Sequence, residues 1–164
     1  GNRSCADAVR SQILTDASGR NDIAQIAVFG DAENIWLRVE TAEEITEPAG
    51  EHWMNVFLGT GGGWNGLEYA INRRVDGTKS SIHRIERTDS GWQYVDTGRC
   101  AEVRVSGRTM IVKVKKSDIG IAGGYALQFK VTDNVTADFD LSALYTEGDC
   151  APVGRINYVY AQEG

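Results

Sequence analysis

The chain of 164 residues has only two prolines, two histidines and three cysteines. The cysteines (Cys5, Cys100 and Cys150) lack metal-ligand spacing, and their odd number leaves at least one thiol outside any disulfide. One disulfide involving Cys5 and three buried thiols are the two open interpretations. Neither His52 nor His83 has a cysteine beside it in sequence. Zinc-protease, serine-hydrolase and phosphate-loop motifs are also absent, so the sequence carries no recognisable catalytic motif.

Long apolar runs and excess positive charge are missing as well. No apolar stretch approaches the roughly 20 residues that a membrane helix needs, and no signal-peptide pattern opens the chain. The net charge is −6 and the pI is about 4.9. Because nucleic-acid binding depends on neutralising phosphates with basic residues, we expect neither nucleic acid as a partner nor insertion into a membrane.

Short alternating segments separated by turns make up most of the chain. Nineteen glycines supply the turns, for example at Asp76-Gly77 and Ser106-Gly107. The segments with strand character span residues 23–29, 35–41, 53–58, 67–73, 81–87, 92–96, 101–105, 110–115, 125–131 and 155–160. This spacing predicts an all-β fold: a single antiparallel, jelly-roll-like β-sandwich of about ten strands over residues 23–164. One or two short helical turns are expected at 117–120 and 141–145, and residues 1–22 are predicted to form an N-terminal arm or short helix.

The stretch 51–74 is predicted to be the central hairpin. Residues 53–58 are apolar enough for a strand buried on both faces, and residues 67–73 alternate. Between them lies Gly59-Thr60-Gly61-Gly62-Gly63, which breaks the strand because consecutive glycines adopt backbone angles that other residues avoid. The loop is therefore expected to present Trp64 and Asn65 at its tip.

Four tryptophans are many for a chain of this length. Trp36 and Trp53 fall inside strand patterns, which indicates core or half-core positions. Trp64 follows glycines and Trp92 follows Ser90-Gly91, so both are expected to be exposed. Exposed indoles are candidates for stacking against the C–H faces of sugars. The alternative is that each loop tryptophan folds back and fills an end of the sandwich.

Oxygen-bearing side chains gather at Asp133, Asn134, Asp138 and Asp140. Calcium prefers such hard ligands, so a calcium site is one interpretation. The other interpretation, which we favour, is that these side chains cap turns by accepting hydrogen bonds from backbone amides. The sequence thus predicts no bound cofactor, with calcium as the alternative. Paired acids such as Glu43-Glu44 lie in similar turn-like contexts, which argues against glycosidase chemistry.

A set of short motifs carries a family resemblance over nearly all of the chain from Arg20 onward. In order they are GRNDI (19–23), NIW (34–36), VET (39–41), WMNVFL (53–58), GWNGLEY (63–69), INR (71–73), TDN (132–134) and GDCAPVGR (148–155), followed by Tyr158 and Tyr160. The chain resembles the β-sandwich domains appended to bacterial glycan-processing proteins. These domains are similar in turn to carbohydrate-binding module family 9 and the wider DOMON-like group.

The resemblance implies a non-catalytic carbohydrate-binding module, an ancillary domain of an exported, secreted or cell-surface bacterial glycan-degrading protein. Its partner would be a polysaccharide or oligosaccharide, with a catalytic domain of the same chain or complex as a second partner. Trp64 and Trp92 would stack on the sugar, and Asn55, Asn72 and Arg74 would donate hydrogen bonds to it.

Two departures from the family pattern bear on the site. Related domains often have acidic residues in the loop after the third strand, where this chain has Leu58-Gly59-Thr60-Gly61, so that loop lacks metal ligands. Members of family 9 bind the sugar through a glutamate on that strand and an Arg-x-Asn motif on the next. The matching positions are Asn55 and Ala70-Ile71-Asn72, of which only Asn72 is kept.

Two rival functions belong to other classes. The first is a structural accessory domain that packs on a catalytic partner without binding sugar. The second is a haem-binding DOMON domain, for which Met54, Met110, His52 and His83 are the available axial ligands. The two methionines fit a core face equally well.

Overall fold

The computed structural model describes residues 19–163 in full and the backbone of residues 5–7 and 12–14. Those two N-terminal pieces are strands β1 (Cys5–Asp7) and β2 (Gln12–Leu14), which pair antiparallel with each other. The rest of the predicted arm before residue 19 lies outside the described residues. The boundary proposed at residue 22 therefore stays a prediction.

Ten further strands and two single helical turns follow. The strands are β3 (Ile23–Gly30), β4 (Asn34–Thr41), β5 (Asn55–Gly59), β6 (Tyr69–Asp76), β7 (Lys79–Thr88), β8 (Gly91–Ser106), β9 (Thr109–Lys115), β10 (Tyr125–Asp133), β11 (Asp149–Ala151) and β12 (Tyr158–Gln162). A 3-10 turn (Lys116–Ile119) and helix α1 (Ala143–Thr146) lie where the sequence predicts them. Within the described residues no helix is long and apolar enough to cross a membrane.

The ten strands form one antiparallel sheet in the order β11-β10-β5-β6-β7-β8-β9-β4-β3, and β12 also pairs with β10. Its two ends come together, because Tyr160 Oη accepts a hydrogen bond from Gly30 N at 3.1 Å and Asp149 accepts one from Ile23 N. The sheet therefore folds back on itself and encloses a core. This confirms the predicted all-β, sandwich-like fold of about ten strands.

Period-2 alternation in the sequence accounts for the main core. Ile35, Leu37 and Val39 of β4 are buried, and they lie opposite Val114, Val112 and Met110 of β9. Successive side chains of a strand point to opposite faces, so each such strand buries one row. A fully buried aliphatic side chain contributes about 1.5–3 kcal/mol relative to an exposed one. The buried rows of β4 and β9 therefore form part of the apolar inner surface of the sheet, which packs against the strands across the core.

Strand β8 is a correction to the sequence prediction. Residues 92–96 and 101–105 are expected to be two strands, but they lie on one continuous strand of 16 residues. Its pairing with β7 shifts register between Ser81 and His83, where Gly98 has a left-handed φ of 69°. The sequence signal that suggests a turn is therefore a β-bulge, which accommodates extra residues without ending the strand.

A second apolar cluster, here called the outer cluster, lies on the other face of β5–β8. Its buried members are Phe57, Trp64, Leu67, Ala70, Ile85, Val135, Ala143, Leu144 and Cys150. Every residue of β5 is buried, as predicted, because Val56 and Leu58 face the main core while Phe57 faces the outer cluster. Residues 134–148, here called the covering segment, close this cluster from outside.

Candidate functional site

A group of polar side chains surrounds Tyr94 beside the outer cluster. The guanidinium of Arg73 lies 3.7 Å from the centre of the Tyr94 ring, which is a cation–π contact. Arg73 also donates hydrogen bonds to Glu51 at 2.8 Å and to both carboxylate oxygens of Asp138 at 3.2 and 3.3 Å. Tyr94 Oη donates to Asp138 at 3.2 Å. With His52, whose Nε2 lies 3.3 Å from Asp138 Oδ1, these residues form what we call the Tyr94 site.

Strand geometry explains why these side chains meet. Trp92, Tyr94 and Asp96 alternate along β8, so they share one face. On β6 the register with β7 shifts after Ile71, and Asn72 has a left-handed φ of 69°. This irregularity lets both Arg73 and Arg74 reach the face that carries Tyr94 and Asp96.

A second polar group adjoins the Tyr94 site. Arg74 donates a hydrogen bond to Asp96 and lies 3.5 Å from His83 Nε2. Burial lowers the pKa of His83, which favours the neutral imidazole at pH 7. The amide of Gly98 lowers the pKa of Asp96, which favours the carboxylate. Arg74 and Asp96 are therefore a charged pair beside an uncharged ring.

Both arginines at the site are paired with carboxylates. Arg73 is neutralised by Glu51 and Asp138, and Arg74 by Asp96. Burial, followed by the nearby Asp138 carboxylate, raises the pKa of Tyr94, so the phenol keeps its proton and remains a hydrogen-bond donor. The site offers both donors and acceptors, with three carboxylates against two guanidiniums.

Aromatic rings continue from Tyr94 in two directions. Trp92 is half-buried two residues away, with the Arg87 guanidinium 5.8 Å from its ring centre. On the other side Phe139 lies 4.5 Å from Tyr94, and Trp64 lies edge-on to Phe139 at 5.6 Å. The rings of Tyr94, Phe139 and Trp64 thus stand in a row beneath the covering segment.

The expected exposure of Trp64 is wrong, because only 8% of this residue is accessible. The loop turns inward through a backbone hydrogen bond from Leu67 N to Trp64 O at 2.9 Å. Gly63 makes this turn possible, since its φ is 63° and a Cβ there would lie 2.1 Å from Leu67 O. Trp64 therefore fills the outer cluster, which is the alternative that the sequence leaves open.

Two other predicted sugar ligands are also buried. Asn72 is 0% exposed and donates to Met54 O at 2.8 Å, while Asn55 donates to Trp53 O at 3.4 Å. Both side-chain NH2 groups donate to backbone carbonyls inside the protein, and both residues are buried. Of the five predicted residues, Trp92 and Arg74 are the two with accessible side chains at the Tyr94 site.

The oxygen-rich stretch after β10 is divided among separate partners. Asp133 is buried, pairs with Arg20 and accepts a hydrogen bond from Met54 N at 2.9 Å. Asp140 accepts one from Ser142 N at 2.8 Å, whereas Asp138 binds Arg73. Asp140 caps a local turn, as predicted, whereas Asp133 joins segments that are distant in sequence. Among residues 19–163, no three His, Cys, Asp or Glu side chains are grouped to hold a metal ion.

Possible axial ligands for haem are separated. Met54 and Met110 are fully buried in the main core, where Met110 Sδ lies 3.3 Å from Asn72 Nδ2. His52 and His83 lie with the polar groups on the outer side. The two kinds of ligand therefore face different parts of the fold.

Sequence reasoning missed Arg73, Tyr94, Asp138, Glu51 and His52 as a group. Tyr94 is signalled by its place two residues after Trp92 on an alternating strand. The others come from β6, the loop before β5 and the covering segment, which are far apart in sequence. Comparison of the chain with protein-family models, curated proteins and solved structures finds no match.

Proposed function

We propose that this chain is a non-catalytic carbohydrate-binding module and that the Tyr94 site, together with Trp92, contacts the sugar. The observation that carries the proposal is the partly exposed indole of Trp92 beside paired donors and acceptors. A sugar has apolar C–H faces, which stack on aromatic rings, and hydroxyls, which both donate and accept hydrogen bonds. The one excess carboxylate favours a neutral carbohydrate over an acidic one.

His52 adds support, because its Nε2 is buried and lies 3.3 Å from Asp138 Oδ1 without hydrogen-bond geometry to any described residue. A buried polar atom without a well-aligned hydrogen bond costs free energy. Asp138 is about one-third exposed, which leaves a ligand access to this part of the site. A sugar hydroxyl here would add a hydrogen bond of better geometry to His52.

The state of the carboxylates supports a binding role over hydrolysis. A glycosidase needs a carboxylic acid whose pKa is raised, beside a second ionised carboxylate. Here Asp138 and Glu51 pair with Arg73, and hydrogen bonds lower the pKa of both Asp96 and Asp140. Asp138, Glu51 and Asp96 each pair with an arginine, and the lowered pKa values of Asp96 and Asp140 are the opposite of what a general acid needs. The resemblance noted above places such a module as an ancillary domain of an exported bacterial glycan-degrading protein.

The test compares two half-buried tryptophans on opposite sides of the sandwich. A glycan array probed with the parent protein selects the ligand, and calorimetry then measures its affinity for Trp92→Ala and for the control Trp36→Ala. Trp36 lies on β4, with its Nε1 donating to Asp31 at 2.8 Å. We expect Trp92→Ala to weaken binding by about 1–3 kcal/mol, the scale of stacking on an aromatic ring. Equal affinities for the two variants would place the site elsewhere, and no array signal would reject the function.

A structural accessory domain is the second candidate function. It is favoured by three apolar side chains near the two edges of the sheet: Phe29 is 61% exposed, Ile156 64% and Val159 65%. Contiguous exposed apolar surface often marks a contact with another protein. If a catalytic domain of the same protein packs here, Phe29→Ser with Val159→Ser should lower the melting temperature of the full-length protein but not of the isolated domain.

A further inference from the structure

Phe139 is the most unusual residue of the outer cluster. Its φ is 60°, a left-handed conformation that is unfavourable for a bulky side chain. Its ring is nevertheless inserted between those of Trp64 and Tyr94, at 5.6 and 4.5 Å between ring centres. Strained backbone of this kind persists only where surrounding contacts hold it, and it is concentrated at ligand-binding and switching sites.

The contacts that hold Phe139 in place are largely polar. Asp138, the preceding residue, binds Arg73 and Tyr94. Farther along, the Glu147 carboxylate accepts hydrogen bonds from Thr136 N at 2.7 Å and Ala137 N at 3.0 Å. The Glu147 bonds lie near the surface, where water can replace them at little cost. Arg73 is buried, so a ligand that displaces Asp138 must itself accept the hydrogen bonds of Arg73.

The ends of the covering segment are fixed more firmly than its middle. Asn134 N donates to His52 O at 2.8 Å, next to the buried Asp133. At the other end Gly148 packs so closely that a Cβ there would lie 1.9 Å from Asp133 O. Buried Ala143 and Leu144 anchor the helical turn in between. Movement is thus restricted to the part around Phe139.

The space beneath Phe139 is too small for a ligand while its ring is present. The cavity lined by Phe57, Trp64, Tyr94 and Val135 has a volume of about 20 Å³. Ligand pockets typically measure about 300–1,000 Å³, so a sugar ring cannot enter unless an occupant leaves. Among the residues that fill this space, Phe139 has a strained backbone and is not fully buried, so it is the one that we expect to leave.

We propose that Phe139 occupies its own domain's sugar-ring subsite, between Trp64 and Tyr94, and that a neutral carbohydrate binds by displacing it. This inference rests on the proposed function and adds to it an autoinhibitory contact and a second aromatic subsite. Sugar hydroxyls take the places of Asp138 at Arg73 and Tyr94, and the sugar ring takes the place of the Phe139 ring. Trp64, buried in the closed state, becomes a ligand contact in the open state.

Removing the Phe139 ring should therefore strengthen binding. Phe139→Gly opens the subsite and also relieves the left-handed backbone, since glycine tolerates that conformation. If the closed state outweighs the open one by about ten to one, the apparent affinity rises about tenfold. The matched control is Leu141→Ala in the same segment, whose side chain is 40% exposed, and it should bind like the parent.

The experiment uses an array of neutral oligosaccharides, followed by calorimetry with the oligosaccharide of strongest signal for either protein. Fluorine NMR with 5-fluorotryptophan reports on Trp64 separately, and we expect its resonance to shift on binding in the parent. Equal affinities of Phe139→Gly and parent, or binding that leaves the Trp64 resonance unmoved, overturn this inference while leaving carbohydrate binding intact. Absence of any binding by both proteins rejects the proposed function and the inference with it.

A second variant keeps the test decisive if Phe139→Gly does not fold. Glu147→Gln weakens the hydrogen bonds to Thr136 and Ala137 outside the ring stack and leaves Phe139 in place. It should raise the apparent affinity by about threefold, since it shifts the closed-to-open equilibrium in the same direction as Phe139→Gly but by a smaller amount. A folded Glu147→Gln protein with unchanged or lower affinity contradicts the inference.

Discussion

The main core and the outer cluster share the same central strands but are closed in different ways. The main core is enclosed mostly by strands, with rows such as Ile35, Leu37 and Val39 held in register by backbone ladders. The outer cluster has strands on one side only, and the covering segment closes the other. An irregular segment held by side-chain hydrogen bonds opens at lower free energy than a ladder does. This difference is the reason why we propose that a ligand exchanges at the outer cluster.

Replacing one leucine by alanine in each of the two clusters should show this difference most strongly. Leu37→Ala in the main core should lower the free energy of unfolding by about 4–5 kcal/mol, because strands on both sides cannot close the cavity. Leu144→Ala in the outer cluster should cost about 2–3 kcal/mol, because the covering segment can collapse onto the space. Urea denaturation of both variants measures the two losses. Equal losses would mean that the covering segment is as rigid as the sheet.

Substitution of Lys130 tests how much buried hydrogen bonds contribute on the face of the sheet that carries the outer cluster. It is fully buried on β10, and its Nζ donates to Pro152 O, Gly154 O and Ile156 O at 2.6, 2.8 and 2.7 Å. Burial lowers the pKa of this amine, yet three carbonyls satisfy its three donors. Lys130→Met removes the amine donor from all three carbonyls, of which Pro152 O keeps only the weak Cys150 Sγ donor, and should cost about 3 kcal/mol.

The measurement for Lys130→Met is thermal melting combined with hydrogen exchange. Amides of residues 150–157 should lose protection, while those of β4 and β9 keep theirs in proportion to the global stability. Lys130→Arg is the conservative comparison, since it retains charge and donors. A fully stable Lys130→Met protein would show that the segment is held by packing alone.

Asp133 lies where the two cores meet, and its removal should have an intermediate effect. Its carboxylate binds Arg20, Asn21 Nδ2 and Met54 N. Asp133→Ala leaves the buried Met54 N–H without an acceptor and should cost about 1–3 kcal/mol. Thermal melting with and without added calcium measures the effect. If calcium raises the melting temperature of the parent and not of the variant, Asp133 is a metal ligand and the hydrogen-bonding interpretation fails.

Acid should affect the covering segment before the main core, which is the smallest effect expected. Backbone amides of Ala137 and Thr136 lower the pKa of Glu147, and the Ser142 hydroxyl and amide lower that of Asp140. Their stabilisation is present above the ordinary carboxyl pKa of about 4 and is lost as the pH falls through the lowered values. Hydrogen exchange of residues 135–142 between pH 5 and pH 3, compared with β9, tests this order. Simultaneous loss of protection in both regions would contradict it.

Much of the fold could be predicted because it depends on residues that are close together in the sequence. Alternation in β4, β9 and β10 requires only that one face be apolar, and Ser106-Gly107 marks the turn between β8 and β9. Strand β11 escaped prediction because three residues are too few to show a period. The continuous β8 was predicted as two strands, since a bulge and a turn use similar residues.

The site was far less predictable than the fold. Arg74 is exposed and Trp92 is partly buried, so the predicted exposure of Trp92 is only partly met. Trp64 folds inward because Gly63 allows a tight backbone approach that only packing makes favourable. Asn55 and Asn72 are polar in sequence and buried in the structure, where backbone carbonyls accept their hydrogen bonds. No local pattern distinguishes an amide that faces solvent from one that faces a carbonyl.

The sequence alone determined the strand-rich architecture, its antiparallel pairing and the identity of the main-core rows, because alternation and turn residues act over a few neighbours. Only the tertiary structure decided which polar and aromatic groups meet. Arg73, Tyr94 and Asp138 come from three elements whose register depends on the irregularity after Ile71 and on how residues 134–148 pack. The strained Phe139 between Trp64 and Tyr94 likewise exists only because long-range contacts offset an unfavourable local conformation.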